Sequence, residues 1–265
     1  MVTIILFILG LCLGSFISAT VWRLHDKKDF VRGRSQCPAC KHQLAPADLV
    51  PIFSYLALGG RCRYCHQPIG IQEPLIELTT GLVFALSYLL WPADLGDRGN
   101  LLLLLTWLVS SVGLIALAVY DLRWMLLPSK IIYPTFLVAA IGQTIYLIGY
   151  APDKFSYLLG WLTAIAVASG VFWTMFMISG GHWIGYGDVR LGLITGTLLA
   201  KPSLAFLMIF IASLLGTAVI LPVLALGNKN LSTKVPYGPF LIAATFFCML
   251  YGQQIVDWYR GFFIS

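Results

Sequence analysis

Apolar residues run through this chain in long blocks separated by short polar breaks. The blocks cover residues 2–22, 74–91, 101–120, 131–149, 155–178, 189–200, 204–226 and 239–256. About 20 apolar residues cross a bilayer as a helix, and lipid leaves the backbone of an open chain no other way to satisfy its polar groups. The pattern therefore predicts an all-α polytopic membrane protein with about eight transmembrane helices. The sixth block is the shortest and contains Gly192 and Gly196. Only one sizeable polar segment interrupts the pattern, residues 23–73 between the first two blocks.

Composition agrees with this pattern: 59% of residues are hydrophobic and 11% are charged. The charge is unevenly placed. Residues 1–22 have no basic stretch before their apolar run, as a cleaved signal peptide would, and positive charge starts after it at Arg23. An uncleaved first span is expected, with the N-terminus outside and residue 23 in the cytoplasm. Eight spans from that start put thirteen of the 17 Lys and Arg residues inside: Arg23, Lys27, Lys28, Arg32, Arg34, Lys41, Arg61, Arg63, Arg123, Lys130, Arg190, Lys229 and Lys234. Only Arg98, Lys154, Lys201 and Arg260 fall outside. The net charge of +6 is thus a topology signal. No interleaving of basic and aromatic residues suggests a nucleic-acid partner.

The polar segment carries "CPAC" at Cys37 and Cys40 and "CRYC" at Cys62 and Cys65. Two such knuckles offer four thiolates, the complement of a tetrahedral structural metal site, with zinc the expected ion. Two disulfides or a redox pair are the competing assignment. The expected exposure to the reducing cytoplasm disfavours it. His42 and His66, beside the knuckles, are expected to be solvated loop residues, and Cys12 and Cys248 to be buried, inert thiols. A loop this short builds little core, so the metal would supply much of its folding energy.

Most of the 11 acidic residues fall in polar loops or turns, where solvation is the default reading: Asp26, Asp29, Asp48, Glu73, Asp94, Asp97, Asp153 and Asp257. Glu77, Asp121 and Asp188 lie at or near span ends. Asp121 closes the third span in "VYDLRWMLLPSK", and Asp188 opens the sixth in "GYGDVRL". The topology puts both at the cytoplasmic boundary, and ionisable groups at membrane depth tend to mark function. The plainer alternatives are a helix N-cap for Asp188 and an ion pair with Arg123 for Asp121. Their matching depth suggests a catalytic pair. Two close carboxyls do not both ionise, so one activates a water while the other polarises a carbonyl. This is aspartic protease chemistry. Gly185 and Gly187 would let the backbone approach a substrate. His182 has no serine partner in view and is expected at the interface. No Gly-rich phosphate loop, HExxH or GxSxG is present.

These residues resemble the type IV prepilin peptidases (prepilin leader peptidase/N-methyltransferases), a family of GxGD-type membrane aspartic proteases. The resemblance is carried by "GSFISATVWRL" at 14–24, the two cysteine knuckles with "PIFSYLALGG" before the second, "EPLIELTTG", "DLRWMLLPSK", "GYGD" and "VPYGPF". It implies a peptidase cutting a basic leader after a glycine at the cytoplasmic face of the bacterial inner membrane. It further implies N-methylation of the new N-terminal residue with S-adenosylmethionine. Type IV prepilins or pseudopilins are the implied substrates. Asp121 and Asp188 match the family's catalytic aspartates, and Cys37, Cys40, Cys62 and Cys65 its metal-binding cysteines. Ser129 stands where the family often has Asn or Asp.

The expected organisation is a first transmembrane helix (1–22), a cytoplasmic four-Cys zinc-binding loop (23–73) and a helical membrane peptidase domain (74–265). No methyl-donor signature is legible; Glu77, Gly59 and Gly60 are candidates for that activity. The competing functions are a zinc-ribbon membrane scaffold that cleaves nothing, a peptidase without methyl transfer, and an ion or proton transporter. The separation of the Asp121 and Asp188 carboxyls discriminates among them.

Overall fold

The computed structural model of the protein describes residues 1–27, 35–225 and 236–263. Lys28, Asp29, Arg32, Arg34, Lys229, Lys234 and Val235, on which part of the topology and motif argument falls, lie outside the described residues. Among those described there is no β-strand, only two isolated bridges, Gln36 with Gln43 and Arg61 with Pro68. The chain forms two compact units, residues 1–90 and the remainder from Trp91.

The first unit contains α1 (Val2–His25), a 3-10 turn (Pro46–Leu49), α2 (Phe53–Ala57) and α3 (Gln72–Leu89). Helices α1 and α3 pack together over glycine. A Cβ on Gly10 would lie 2.7 Å from Gly81 Cα, and one on Gly14 would lie 2.6 Å from Glu77 Cα. The two backbones therefore touch where these side chains are missing, the small-residue packing that membrane helices favour. Ile17 and Val21 on α1 and Phe84 on α3 are buried.

The second unit contains α4 (Arg98–Trp124), α5 (Ser129–Gly149), α6 (Lys154–Ser179), α7 (Tyr186–Leu199), α8 (Pro202–Ala225) and α9 (Gly238–Phe263). Local signals set the ends. Asp97 caps α4 by accepting from Asn100 N–H at 2.9 Å, and Asp153 caps α6 through Phe155 and Ser156. Met125 ends α4 and Gly180 ends α6, both in left-handed conformations.

Each of the eight expected spans is a helix. Six are long and apolar enough to cross a membrane: α1, α4, α5, α6, α8 and α9. The second and sixth, α3 and α7, are not among them. The first turns of α3 carry Gln72, Glu73 and Glu77. Helix α7 has 14 residues, about 21 Å at 1.5 Å per residue, against a hydrocarbon thickness of about 30 Å.

Helix α7 sits within its unit, packed against α5, α6, α8 and α9. Nine of its 14 residues are buried. Its closest approach is to α6, where a Cβ on Gly192 would lie 2.6 Å from Ala168 O and one on Gly196 2.8 Å from Ala164 O. Ser169 on α6 also donates to Val189 O at 2.9 Å. Helices α4 and α5 mesh reciprocally: Gly113 leaves room for Thr135, and Gly142 leaves room for Thr106. Farther along, Tyr157 on α6 donates to Gln143 on α5, whose amide donates to Leu198 O on α7. Side-chain hydrogen bonds thus tie α7 to its neighbours near both of its ends.

This packing predicts a contrast between two glycines. Gly192→Val should drive α6 and α7 apart and cost about 1–3 kcal/mol, read as a lowered Tm in detergent. Gly170→Ala, on α6 with no atom within 4 Å of the added carbon, should be neutral or stabilising by up to about 1 kcal/mol. Equal Tm values would contradict the close-contact role of Gly192.

Candidate active site and metal centre

Asp121 lies in the last turn of α4, one turn before the left-handed Met125 that ends the helix. It is buried, 5% exposed. Its Oδ2 accepts the Gly238 N–H from the start of α9 at 3.2 Å. That contact, rather than a pairing with Arg123, holds the carboxyl.

Asp188 lies in the first turn of α7 and is half-buried. The N-cap position belongs to Gly185, in extended conformation, and Asp188, three residues on, accepts a hydrogen bond from the Gly185 backbone in the manner of a capping box. Helix α7 starts at Tyr186, three residues earlier than the apolar block, which puts Asp188 inside the helix. The Asp121 carboxyl is close enough for its charge to act on Asp188. A C-terminal helix turn and an N-terminal one therefore bring together two acids from separate motifs.

The surrounding residues fix that meeting. A Cβ on Gly187 would lie 3.0 Å from Leu127, in the segment that follows α4. The space left by Gly187 is thus filled from within the protein, where a substrate backbone had been expected. Arg190 donates to Ser129 Oγ at 2.7 Å and stacks on Tyr186 with 4.4 Å to the ring centroid. This links the start of α5 to α7, and so joins the two aspartate motifs a second time. His182 is exposed between α6 and α7, its Nδ1 2.7 Å from Ser179 O.

The cysteine loop folds as two copies of one turn. Cys37 N–H donates to His42 O and Lys41 N–H to Cys37 O; Cys62 N–H donates to Gln67 O and His66 N–H to Cys62 O. Lys41 and His66 occupy matching left-handed positions, φ 59° and 58°. The four sulfurs of Cys37, Cys40, Cys62 and Cys65 lie within 4.8 Å of one another. A tetrahedral ion with metal–sulfur bonds of about 2.3 Å holds its sulfurs about 3.8 Å apart, so the cluster fits a metal ion. None of the four is in a disulfide. The histidines do not occupy matching positions in the two turns. His42 stacks across the copies on Tyr64, ring centroids 3.7 Å apart.

Asp48 departs from the expectation of plain solvation. Its side chain is 4% exposed and accepts from Arg63 Nε at 2.6 Å, Tyr64 Oη at 3.0 Å and Ala45 N–H at 3.1 Å. Burial alone would raise its pKa, but these hydrogen bonds and the Arg63 charge outweigh it and hold the carboxyl below its ordinary value. Both side-chain donors lie inside the second knuckle, so Asp48 locks the intervening segment onto it. Glu77, a candidate for the methyl-donor activity, serves the backbone here. Its Oε2 accepts Ile52 N–H at 2.7 Å, holding a β-branched residue at φ 60°.

Residues 8–91 match the bacterial peptidase A24 N-terminal domain, and residues 108–221 match the type IV leader peptidase family. A protein of Pseudomonas aeruginosa named prepilin leader peptidase/N-methyltransferase is 31% identical over 96% of this chain and 92% of its own length. Its namesake in Bacillus subtilis is 32% identical over 96% of each chain. One from Aeromonas hydrophila is 32% identical over 87% of this chain and 76% of its own. No solved structure matches significantly.

Two predictions follow the loop's geometry. The Cys37→Ser/Cys62→Ser double variant, which removes one thiolate from each turn, should purify without stoichiometric metal by elemental analysis; retained metal would refute the four-thiolate site. A depressed carboxyl pKa contributes stability above the ordinary carboxylate range and loses it as pH falls through the lowered value. Limited proteolysis of the loop should therefore be roughly two- to fivefold slower in the parent than in Asp48→Asn at pH 7. The difference should vanish in acid, and a difference that persisted there would contradict the clamp.

Proposed function

Because the chain belongs to the type IV leader peptidase family, we propose that it removes the basic leader from type IV prepilins or pseudopilins and then methylates the newly exposed amine. The observation that carries this reading is the meeting of Asp121 and Asp188 across two facing helix ends, although they stand 67 positions apart in the chain. A scaffold has no use for two acids brought together at membrane depth.

The chemistry needs only the pair and a water. Two carboxyls that feel each other's charge do not both ionise easily, so the pair carries one proton between them in this mechanism. The ionised member takes a proton from the water as its oxygen attacks the scissile carbonyl. The protonated member hydrogen-bonds the carbonyl oxygen and gives up its proton there. The tetrahedral adduct then collapses: the carboxyl that took the water's proton gives it to the leaving amine as the C–N bond breaks, and a hydroxyl of the adduct returns its proton to the other carboxylate as the C=O bond re-forms. Acid and base end as they began.

The proposed substrate's leader meets its own apolar helix at the cytoplasmic boundary. On the eight-span reading of the sequence the dyad lies at that depth, in the bacterial inner membrane with the N-terminus outside. Lateral entry from the bilayer then needs little vertical movement of the substrate.

Cys37, Cys40, Cys62 and Cys65 hold zinc as a closed structural site that stabilises the loop. S-adenosylmethionine supplies an electrophilic methyl group for the freed N-terminal amine. Support for this second activity is the two-part name of the relatives and the presence of the N-terminal domain.

Asp121→Asn and Asp188→Asn should each lower prepilin cleavage by about 10²–10⁴-fold or more, with the protein still folded and inserted. An amide keeps the size of the side chain and cannot cycle the proton. Turnover near that of the parent in either variant would overturn the dyad. Mass spectrometry of the mature product, with and without S-adenosylmethionine, tests the second activity: a gain of one methyl on the N-terminal amine is expected.

A further inference from the structure

Helix α9 opens with Tyr237, Gly238, Pro239 and Phe240, and this order leaves one backbone donor free. The N–H groups of Phe240 and Leu241 both donate to Tyr237 O, at 3.1 and 3.2 Å. Pro239 has no N–H to satisfy. Gly238, the first helical residue, has no carbonyl a turn behind it to receive its own. That orphan donor points at Asp121 Oδ2, 3.2 Å away in a buried setting.

The residue type is dictated by the same contact. A Cβ at position 238 would lie 2.6 Å from Asp121 Oδ2 and 3.4 Å from its Cγ, closer to the oxygen than such carbons approach. Positive φ is not the reason, since Gly238 is absent from the left-handed residues. Glycine is needed for the space beside the carboxyl.

The neighbouring residue keeps this donor in place. The Tyr237 ring packs edge-on against Phe172 of α6, centroids 5.7 Å apart, and its hydroxyl lies 3.4 Å from Ser213 Oγ on α8. Its carbonyl caps α9 through the two bonds above. Tyr237 is also near enough to Asp188 to feel its charge. The Tyr237–Gly238 step is thus anchored to α6 and α8 while it borders both acids.

We propose that Gly238 is a positioning residue of the dyad: its N–H fixes the Asp121 carboxyl toward Asp188, and its missing side chain keeps that carboxyl's place clear. This inference rests on the dyad reading. Pro239 sharpens it, because a proline at the second helical position leaves no second donor to compete for the same oxygen.

The test compares purified full-length Gly238→Ala, the two Asp→Asn variants, and protein in which Gly238 is replaced by glycolate. The glycolate replacement turns the amide into an ester, removing the N–H while adding no side chain. It breaks no intrahelical bond and only weakens the two accepted by the Tyr237 carbonyl, now an ester, so folding should survive even where the alanine variant's does not. Cleavage of a membrane-embedded prepilin should show kcat lowered roughly 10- to 100-fold in the ester protein. KM should stay within about twofold and Tm should fall by no more than about 2–4 °C. Gly238→Ala should lose at least as much. Unchanged kcat in the ester protein, a rise in KM alone, or a loss that merely tracks a lowered Tm would overturn the positioning role. If instead the Asp→Asn variants cleave normally, the dyad reading fails first.

Discussion

The second unit depends on the contact between α6 and α7. A helix of 14 residues cannot hold itself in a bilayer by length, and apolar burial gives little drive where the surrounding lipid is equally apolar. What holds α7 is close backbone approach at Gly192 and Gly196, reinforced by Ser169 and by the Gln143 amide. Its small residues and its shortness therefore serve one end. They allow a helix N-terminus carrying Asp188 to lie inside the helical bundle.

Asp188 then meets Asp121 through helix ends rather than helix middles. Asp121 sits at a C-terminal turn, where the backbone partial charge is negative, and the first N–H of α9 counters this directly. Asp188 sits at an N-terminal turn, where the partial charge is positive. Two positive helix ends and one negative end converge on the pair, an arrangement suited to keeping one negative charge in a poorly hydrated place. The Gly187–Leu127 contact and the Arg190–Ser129 hydrogen bond fix the same meeting through neighbouring residues.

Much of this was legible in the sequence, for a physical reason. Apolar runs of bilayer length report helices directly, and every expected span is one. The cysteine pairs could be read because sites able to hold a metal ion impose spacing on the chain. The acids could be singled out because a carboxylate within an apolar run is costly. Contacts between distant segments left weaker marks. Asp48 looked like an ordinary loop acid, since nothing near it in sequence discloses that Arg63 and Tyr64 fold back onto it. Gly238 stands out in the sequence only as part of "VPYGPF". Its Gly-Pro pair at a helix start was the available signal, and what the free N–H faced could not be known. Gly187 was expected to face a substrate, yet the α4–α5 connection had already taken its space.

The first unit follows a different logic. Its helices are joined by missing side chains, while its loop is organised by two repeated turns that bring four sulfurs together. Asp48 and Glu77 spend their carboxylates on structure, Asp48 clamping the second knuckle and Glu77 holding Ile52, whereas in the second unit Asp188 feels the charge of Asp121. The claim on which the whole account turns is that Asp121 and Asp188 act on one atom. The most direct measurement is an experimental structure of the membrane-embedded protein with a hydroxyl-bearing mimic of the tetrahedral adduct bound. Both carboxyls should lie within about 2.6–3.2 Å of that hydroxyl. A hydroxyl held by one carboxyl, with the other turned away from it, would contradict the account.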